Sequence, residues 1–273
     1  MKIDTGATTF IRGVTQLSGY QWAMRVDKIP TNDDLVSSVR EHLDEATSEV
    51  LIATQPEMLE RIEGALQRCY ERGTFIALCV YSDEQTAATF DYEGTATLVR
   101  CWDQELDTMV SVDHQRGVVG QLLEPSEDEE VVGLEYDTER LYGMAFLQFM
   151  SQHWDEGEEV YVKDAPSLPY ECANLRDAAV STTLHFREEN TVGFSADARE
   201  APAEEDEVWQ EIEGQLSTVR QSFVAPSNNS FFGEIGLVGY VDDERVTMGG
   251  HGAYFEDYEA TNIVLEPMSA TGV

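Results

Sequence analysis

Residues 49–81 read E-V-L-I-A-T-Q-P-E-M-L-E-R-I-E-G-A-L-Q-R-C-Y-E-R-G-T-F-I-A-L-C-V-Y. The runs at 49–54 and 75–81 are short and apolar nearly throughout, without the in-out alternation of a strand that has one wet face. Between them Pro56 opens a helical pattern in which Met58, Leu59, Ile62, Leu66 and Tyr70 share one face, and Gly73 closes it. A strand, a helix and a strand, with both strands apolar on both sides, predict a parallel βαβ unit covered by helices on its two faces.

The pattern continues outward in both directions. Upstream, residues 21–26 have strand character, and Thr31-Asn32-Asp33 caps a helix over 34–46 with Leu35, Val36, Val39 and Leu43 as its apolar stripe. Downstream, strands are predicted near 95–101, 108–113, 118–122 and 130–135, with a hairpin turn at 113–117. The apolar segment 137–153 predicts a helix buried all round. After a strand at 158–162, prolines and acids mark a change of composition, and 169–186 has helical character. From residue 190 the pattern turns short and alternating, with strands near 191–198, 212–224, 235–240, 245–248 and 261–266 and a turn at Asp242-Asp243. The chain divides into a lead-in at 1–20, an α/β domain at 21–155 and a mainly-β domain at 156–273, the last a small sheet or partly open barrel. No internal repeat is present, and 201–207 is a polar surface loop.

The chain has 273 residues, 42% hydrophobic, with 53 acids against 17 bases, a formal net charge of −36. Only three bases are lysine (Lys2, Lys28, Lys163), and the acids spread along the whole length. A uniform acidic excess reads as a surface that stays soluble where salt screens self-repulsion, the halophile pattern, and predicts a high-salt cytoplasm. It argues against a nucleic-acid surface, which needs clustered Lys and Arg, and favours neutral ligands over phosphates. Cys69, Cys79, Cys101 and Cys172 lie far apart with no C-x-x-C, so buried free thiols are expected. No apolar run is long enough to span a membrane, and residues 1–20 lack the build of a signal peptide.

Catalytic and metal patterns are weak. His153 and Glu156 stand three apart, but one imidazole does not make a zinc site, so no metal or cofactor is predicted. His114-Gln115-Arg116 resembles the start of the H-x-K-x(4)-D motif of phospholipase-D-like phosphodiesterases, whose histidine attacks phosphorus. Here Arg116 stands for the lysine, Gln121 for the aspartate, and no second His-x-Lys follows. G-x-S-x-G, P-loop and G-x-G-x-x-G patterns are absent. The remaining distinctive stretch is 245–260, R-V-T-M-G-G-H-G-A-Y-F-E-D-Y-E-A. Its glycines beside aromatic faces and a carboxylate suit a small polyhydroxylated ligand, and equally a glycine-rich bend between strands with the aromatics as core.

The order of the two halves, together with V-R-Q-S-F-V-A-P at 219–226, W-A-M-R-V at 22–26, Y-G-M-A-F-L-Q-F-M-S-Q-H-W at 142–154 and G-G-x-G-A-x-x-E-D-Y-E-A within 249–260, resembles the effector-binding region of the TrmB family. These are archaeal sugar-sensing transcriptional regulators, and the likeness to the haloarchaeal branch covers about residues 20–267. The resemblance implies a catalytically empty, phospholipase-D-like α/β domain followed by a small β-rich sugar-binding domain. It implies ligand contacts at Gly250 and Glu256, with Glu234 on the strand that carries a family asparagine and Ser151 at the place of a family serine. Family members usually begin with a winged helix-turn-helix; residues 1–20 show no two-helix pattern and little positive charge, so no direct DNA binding by this chain alone is expected. Three functions follow. One is a non-enzymatic sugar or metabolite sensor with its ligand between the halves, acting as a homodimer or with a winged-helix regulator. The second is a ligand-free module that pairs with full-length regulators, and the third a phosphodiesterase using His114.

Overall fold

The computed structural model describes residues 25–104, 106–123, 131–202, 208–227, 229, 231 and 233–268. The lead-in at 1–20, residues 21–24 of the expected first strand, Glu130 of the expected strand 130–135 and most of the loop 201–207 lie outside them.

The first unit runs β1 (Arg25–Ile29), α1 (Asn32–Glu45), β2 (Glu49–Thr54), α2 (Pro56–Glu71), β3 (Phe75–Val80), the single turn α3 (Glu84–Ala87), β4 (Leu98–Cys101), β5 (Thr108–Val112), β6 (Arg116–Gly120), β7 (Gly133–Asp137), α4 (Glu139–Gln148) and β8 (Glu158–Val162). Its eight strands are ordered β1-β7-β6-β5-β2-β3-β4-β8. The β2–β3 pair is parallel, as the apolar runs predict, β3–β4 is parallel too, and β5 flanks β2 antiparallel, so the sheet is mixed. The expected domain boundary after residue 155 precedes β8, yet β8 pairs with β4, so the first sheet extends to Val162.

Every residue of β2 and β3 is buried. Val50, Ile52, Ile76 and Leu78 pack against Leu35, Val39 and Leu43 of α1 and Ile62 and Leu66 of α2. Leu51, Ala53, Ala77 and Cys79 face the other way, onto Tyr142, Phe149 and Trp154. The helix ends are chemically defined: Thr31 Oγ1 accepts from Asp34 N at 3.1 Å, and Arg72 Nη2 donates to Leu43 O and Ala46 O at the end of α1. Segment 137–153 corrects the expectation of a helix buried all round. It is α4 continued by a π-helical turn at Phe149–Trp154, and Met144 and Leu147 are 64% and 50% exposed. The segment lies on one face of the sheet, so one side of it has nothing to bury against.

The second unit comprises β9 (Tyr170–Glu171), α5 (Leu175–Arg187), β10 (Val192–Glu200), β11 (Gln210–Arg220), β12 (Gly236–Val241), β13 (Glu244–Gly249) and β14 (Tyr258–Pro267). The order is β10-β11-β12-β13-β14-β9, and an additional β10–β14 pairing closes the five long strands into a small barrel. Gly214 of β11 serves that closure, since a Cβ there would stand 2.1 Å from Tyr240 O. The helix expected over 169–186 begins later, at the Asn174 cap, whose side chain accepts from Asp177 N. The segment before it stays extended because Asp177 holds Ala173 N (3.0 Å) and the Tyr170 hydroxyl (2.8 Å).

Helix α5 joins the units. Ala178 and Ala179 enter the barrel core, while Val180 and Leu184 enter the core beneath the first sheet. Cys69, Cys79 and Cys101 are buried thiols and Cys172 is half-buried. Among the described residues no helix is long and apolar enough to cross a membrane.

Candidate functional site

A cleft of about 660 Å³ opens between the two units, lined by residues of the β5–β6 turn, α4, the start of α5, β14 and the loop after β13. Its floor is built from a turn. Asp113 and His114 both have positive φ (50° and 62°), and Gln115 N donates to Val112 O at 3.1 Å, which makes a tight turn between the paired Val112 and Arg116. The Asp113 carboxylate accepts from Thr47 N (2.9 Å), Thr47 Oγ1 (2.9 Å), Ser48 N (2.8 Å) and Glu49 N (3.0 Å). These bonds tie the hairpin to the start of β2 and place His114 Nε2 3.3 Å from Glu49 Oε1.

Glu49 is fully buried. It accepts from the Tyr142 hydroxyl of α4 and from Arg176 Nη1 of α5, so elements of both units meet on one carboxylate. Arg176 Nη1 also lies 2.6 Å from His114 Nε2 and 3.3 Å from the Tyr142 oxygen, and its guanidinium stacks 4.5 Å over the Phe146 ring. An arginine only donates, so His114 Nε2 accepts and the imidazole proton sits on Nδ1. Burial pushes the His114 pKa down; Glu49 opposes this and Arg176 reinforces it, leaving the ring neutral at pH 7. Burial and Glu49 hold the Tyr142 hydroxyl well above its ordinary pKa, so it remains a donor.

The facing wall repeats this arrangement. Glu259 of β14, also buried, receives Arg199 Nη2 of β10 at 3.0 and 3.1 Å. The Arg199 guanidinium lies 4.6 Å over Trp209, and His251 Nδ1 stands 3.4 Å from Glu259 Oε1. Each wall thus carries a buried carboxylate, an arginine stacked on an aromatic ring and a histidine at the carboxylate. Among the described residues no group of three or more His, Cys, Asp and Glu could hold a metal ion.

The residues expected from sequence fall in different places. Gly250 lines the cleft with its backbone, and a Cβ there would come no nearer than 3.4 Å to Leu175. Glu256 lies against Gly249, its carboxyl carbon 3.0 Å from where a Cβ on that glycine would be, and is not part of the lining. Glu234 pairs with Arg220 at 3.0 Å; its neighbours Gly233 and Ile235 line the cleft. Ser151 is exposed and donates to Leu147 O at 2.7 Å, away from the lining. Tyr254 and Phe255, weighed as core, are 67% and 91% exposed. The sequence alone does not mark Glu49, Tyr142, Arg176, Arg199 and Glu259 as residues of a site. Two of them leave a trace in the sequence: Glu49 opens an otherwise apolar strand, and Arg176 is the one large cation near the start of the small-residue helix L-R-D-A-A-V-S-T-T.

Residues 25–161 match the family model for the N-terminal subdomain of the effector-binding domain of the transcriptional regulator TrmB. Residues 167–268 match that for the C-terminal subdomain of the TrmB/TrmBL1 effector-binding domain. No curated protein matches the chain. Among solved structures it is similar to TrmBL2, an archaeal chromatin protein, at 18% identity and TM-score 0.41, over 50% of this chain and 54% of that one. It therefore spans about half the length of that relative. It is also similar to Nuc, a phospholipase D family member of Salmonella typhimurium (15% identity, TM-score 0.40, 52% of this chain and 100% of that one), and to NucT of Helicobacter pylori (11%, 0.38, 50% and 99%). With an α/β subdomain and a β-barrel subdomain both matched in order, the chain belongs to the TrmB family of transcriptional regulators, of which it carries the effector-binding domain.

Proposed function

We propose that this domain is a non-enzymatic sensor that binds a sugar or a related polyhydroxylated metabolite in the cleft between its two units. The observation that carries this reading is the cleft itself: about 660 Å³ of space bounded by bare backbone at Gly250, aromatic faces and hydrogen-bonding side chains from both units. A ligand there touches both sides of the joint, so its binding energy can bias their relative arrangement and reach a transcriptional partner. Gly250 supplies the wall against which a sugar ring lies. Glu256, one loop turn away, is the acid that would accept hydroxyls once the loop settles on a ligand. A phosphodiesterase reading has little support, because His114 Nε2 is occupied by Arg176.

The test is calorimetric titration in molar potassium chloride with a panel of mono- and disaccharides. Gly250→Val is its control: the glycine does not use the left-handed region and has space for a Cβ, so the variant folds, while its methyls intrude on the cleft. It should weaken binding by about tenfold or more, equivalent to about 1.4 kcal/mol. Saturable binding that is indifferent to Gly250→Val would move the site elsewhere, and failure of every sugar to bind folded protein would end the proposal.

A further inference from the structure

Net charge makes this protein a poor host for anions, but the cleft is locally different. Its buried carboxylates are spoken for, Glu49 by Arg176 and Tyr142, Glu259 by Arg199. Donors, by contrast, are left over. Among the described residues Arg176 makes its hydrogen bonds through Nη1 alone, and neither its buried Nε nor its Nη2 has a partner. His114, with Nε2 accepting from Arg176, carries its proton on Nδ1, which likewise has no partner among the described residues. From the facing wall comes His251, tethered by Nδ1 at Glu259 and with its side chain 87% exposed. His114, Arg176 and His251 all line the cleft. Glu139 is the other lining carboxylate, and it is exposed, where solvent screens it.

The geometry points to an effector that carries an anionic group, a carboxylate or a phosphate, received by Arg176 Nη2 and His114 Nδ1 on one wall and by His251 on the other. This rests on the cleft being the effector site and names the class of ligand it takes. Hydrogen bonds to a charged acceptor are about twice as strong as neutral ones, and an arginine edge matches the planar oxygens of either group. The opposing field of the acidic surface reaches only about 3 Å in molar salt, so the contacts inside the cleft decide the preference.

With Nδ1 held at Glu259, His251 donates to an anion through its other ring nitrogen in the imidazolium form.

The experiment is titration of the intact chain with matched sets: glucose, galactose and ribose, each beside its sugar acid and its phosphate. An acidic member should bind about tenfold or more tightly than its neutral parent, and carboxylate against phosphate shows which group the site takes. His251→Gln, at an exposed position, should lower that preference about threefold. His114→Gln should lower the preference as well. If neutral sugars bind as well as their acids, or the preference survives both variants, the anionic subsite is wrong and the sensor reading stands. If no member binds to folded protein, both fall.

Discussion

Glu49 shows how much rests on one side chain. It begins a strand whose other members are apolar, is wholly buried, and is tolerated there because Arg176, Tyr142 and His114 surround it. Removing one partner of a buried ion pair leaves the other uncompensated, at a cost of about 3–5 kcal/mol. Arg176 keeps 14% of its side chain exposed, so for Glu49→Ala we expect the lower end, about 3 kcal/mol in equilibrium denaturation. Replacing both, as Glu49→Leu with Arg176→Met, should restore most of that loss; a double variant as unstable as the single would show that the pair does more than neutralise itself. His153 is a second buried titratable group. It sits in the π-helical turn with Nδ1 2.9 Å from the Tyr81 hydroxyl and Nε2 without a partner among the described residues, and burial lowers its pKa to about 4. The unfolded chain, with an ordinary pKa of about 6.5, binds that proton more readily, so stability is full above that pH and declines as pH falls to about 4, by about 3 kcal/mol. Unfolding curves between these limits should show this decline in the wild type, and a correspondingly shallower one in His153→Phe.

Among the elements, α5 is the joint. Its small residues Ala178 and Ala179 let the barrel close over it, its Val180 and Leu184 reach the first sheet, and its first turn delivers Arg176 to the cleft. Leu184→Ala empties a site that is 5% exposed and should cost about 2–4 kcal/mol. Because the helix serves both cores, the loss should appear at one midpoint whether unfolding is followed by signals from the sheet or from the barrel; two separated transitions would mean that the units fold independently. The β5–β6 hairpin shows how an element can be visible while its use is not. The turn at 113–117 was legible from Asp113, His114 and Gly117, but its tie to β2 through Asp113 joins residues more than sixty positions apart, and no local pattern records it.

The whole molecule carries a net charge of −36, and its ion pairs join only some of its 53 acids to 17 bases. Repulsion among the rest opposes the compact state at low ionic strength, and screening relieves it. The melting temperature should climb steeply as potassium chloride is raised from millimolar to molar, and a melting temperature indifferent to salt would contradict this account. The same charge is an average over the whole surface, whereas the cleft lining holds Arg176, His114 and His251.

The sequence by itself determined the parallel β2–α2–β3 unit, the positions of most strands, the division into an α/β half and a β half, and the family. These depend on local periodicity, caps and short motifs, which act between neighbours in the chain. Only the tertiary structure decided that α4 has an exposed side, that β8 completes the first sheet, that β10 closes on β14, and that Glu49 meets Arg176. Those outcomes depend on which surfaces remain to be covered once the elements are placed. A buried carboxylate 127 positions from its arginine has no signature in either neighbourhood until the fold brings them together.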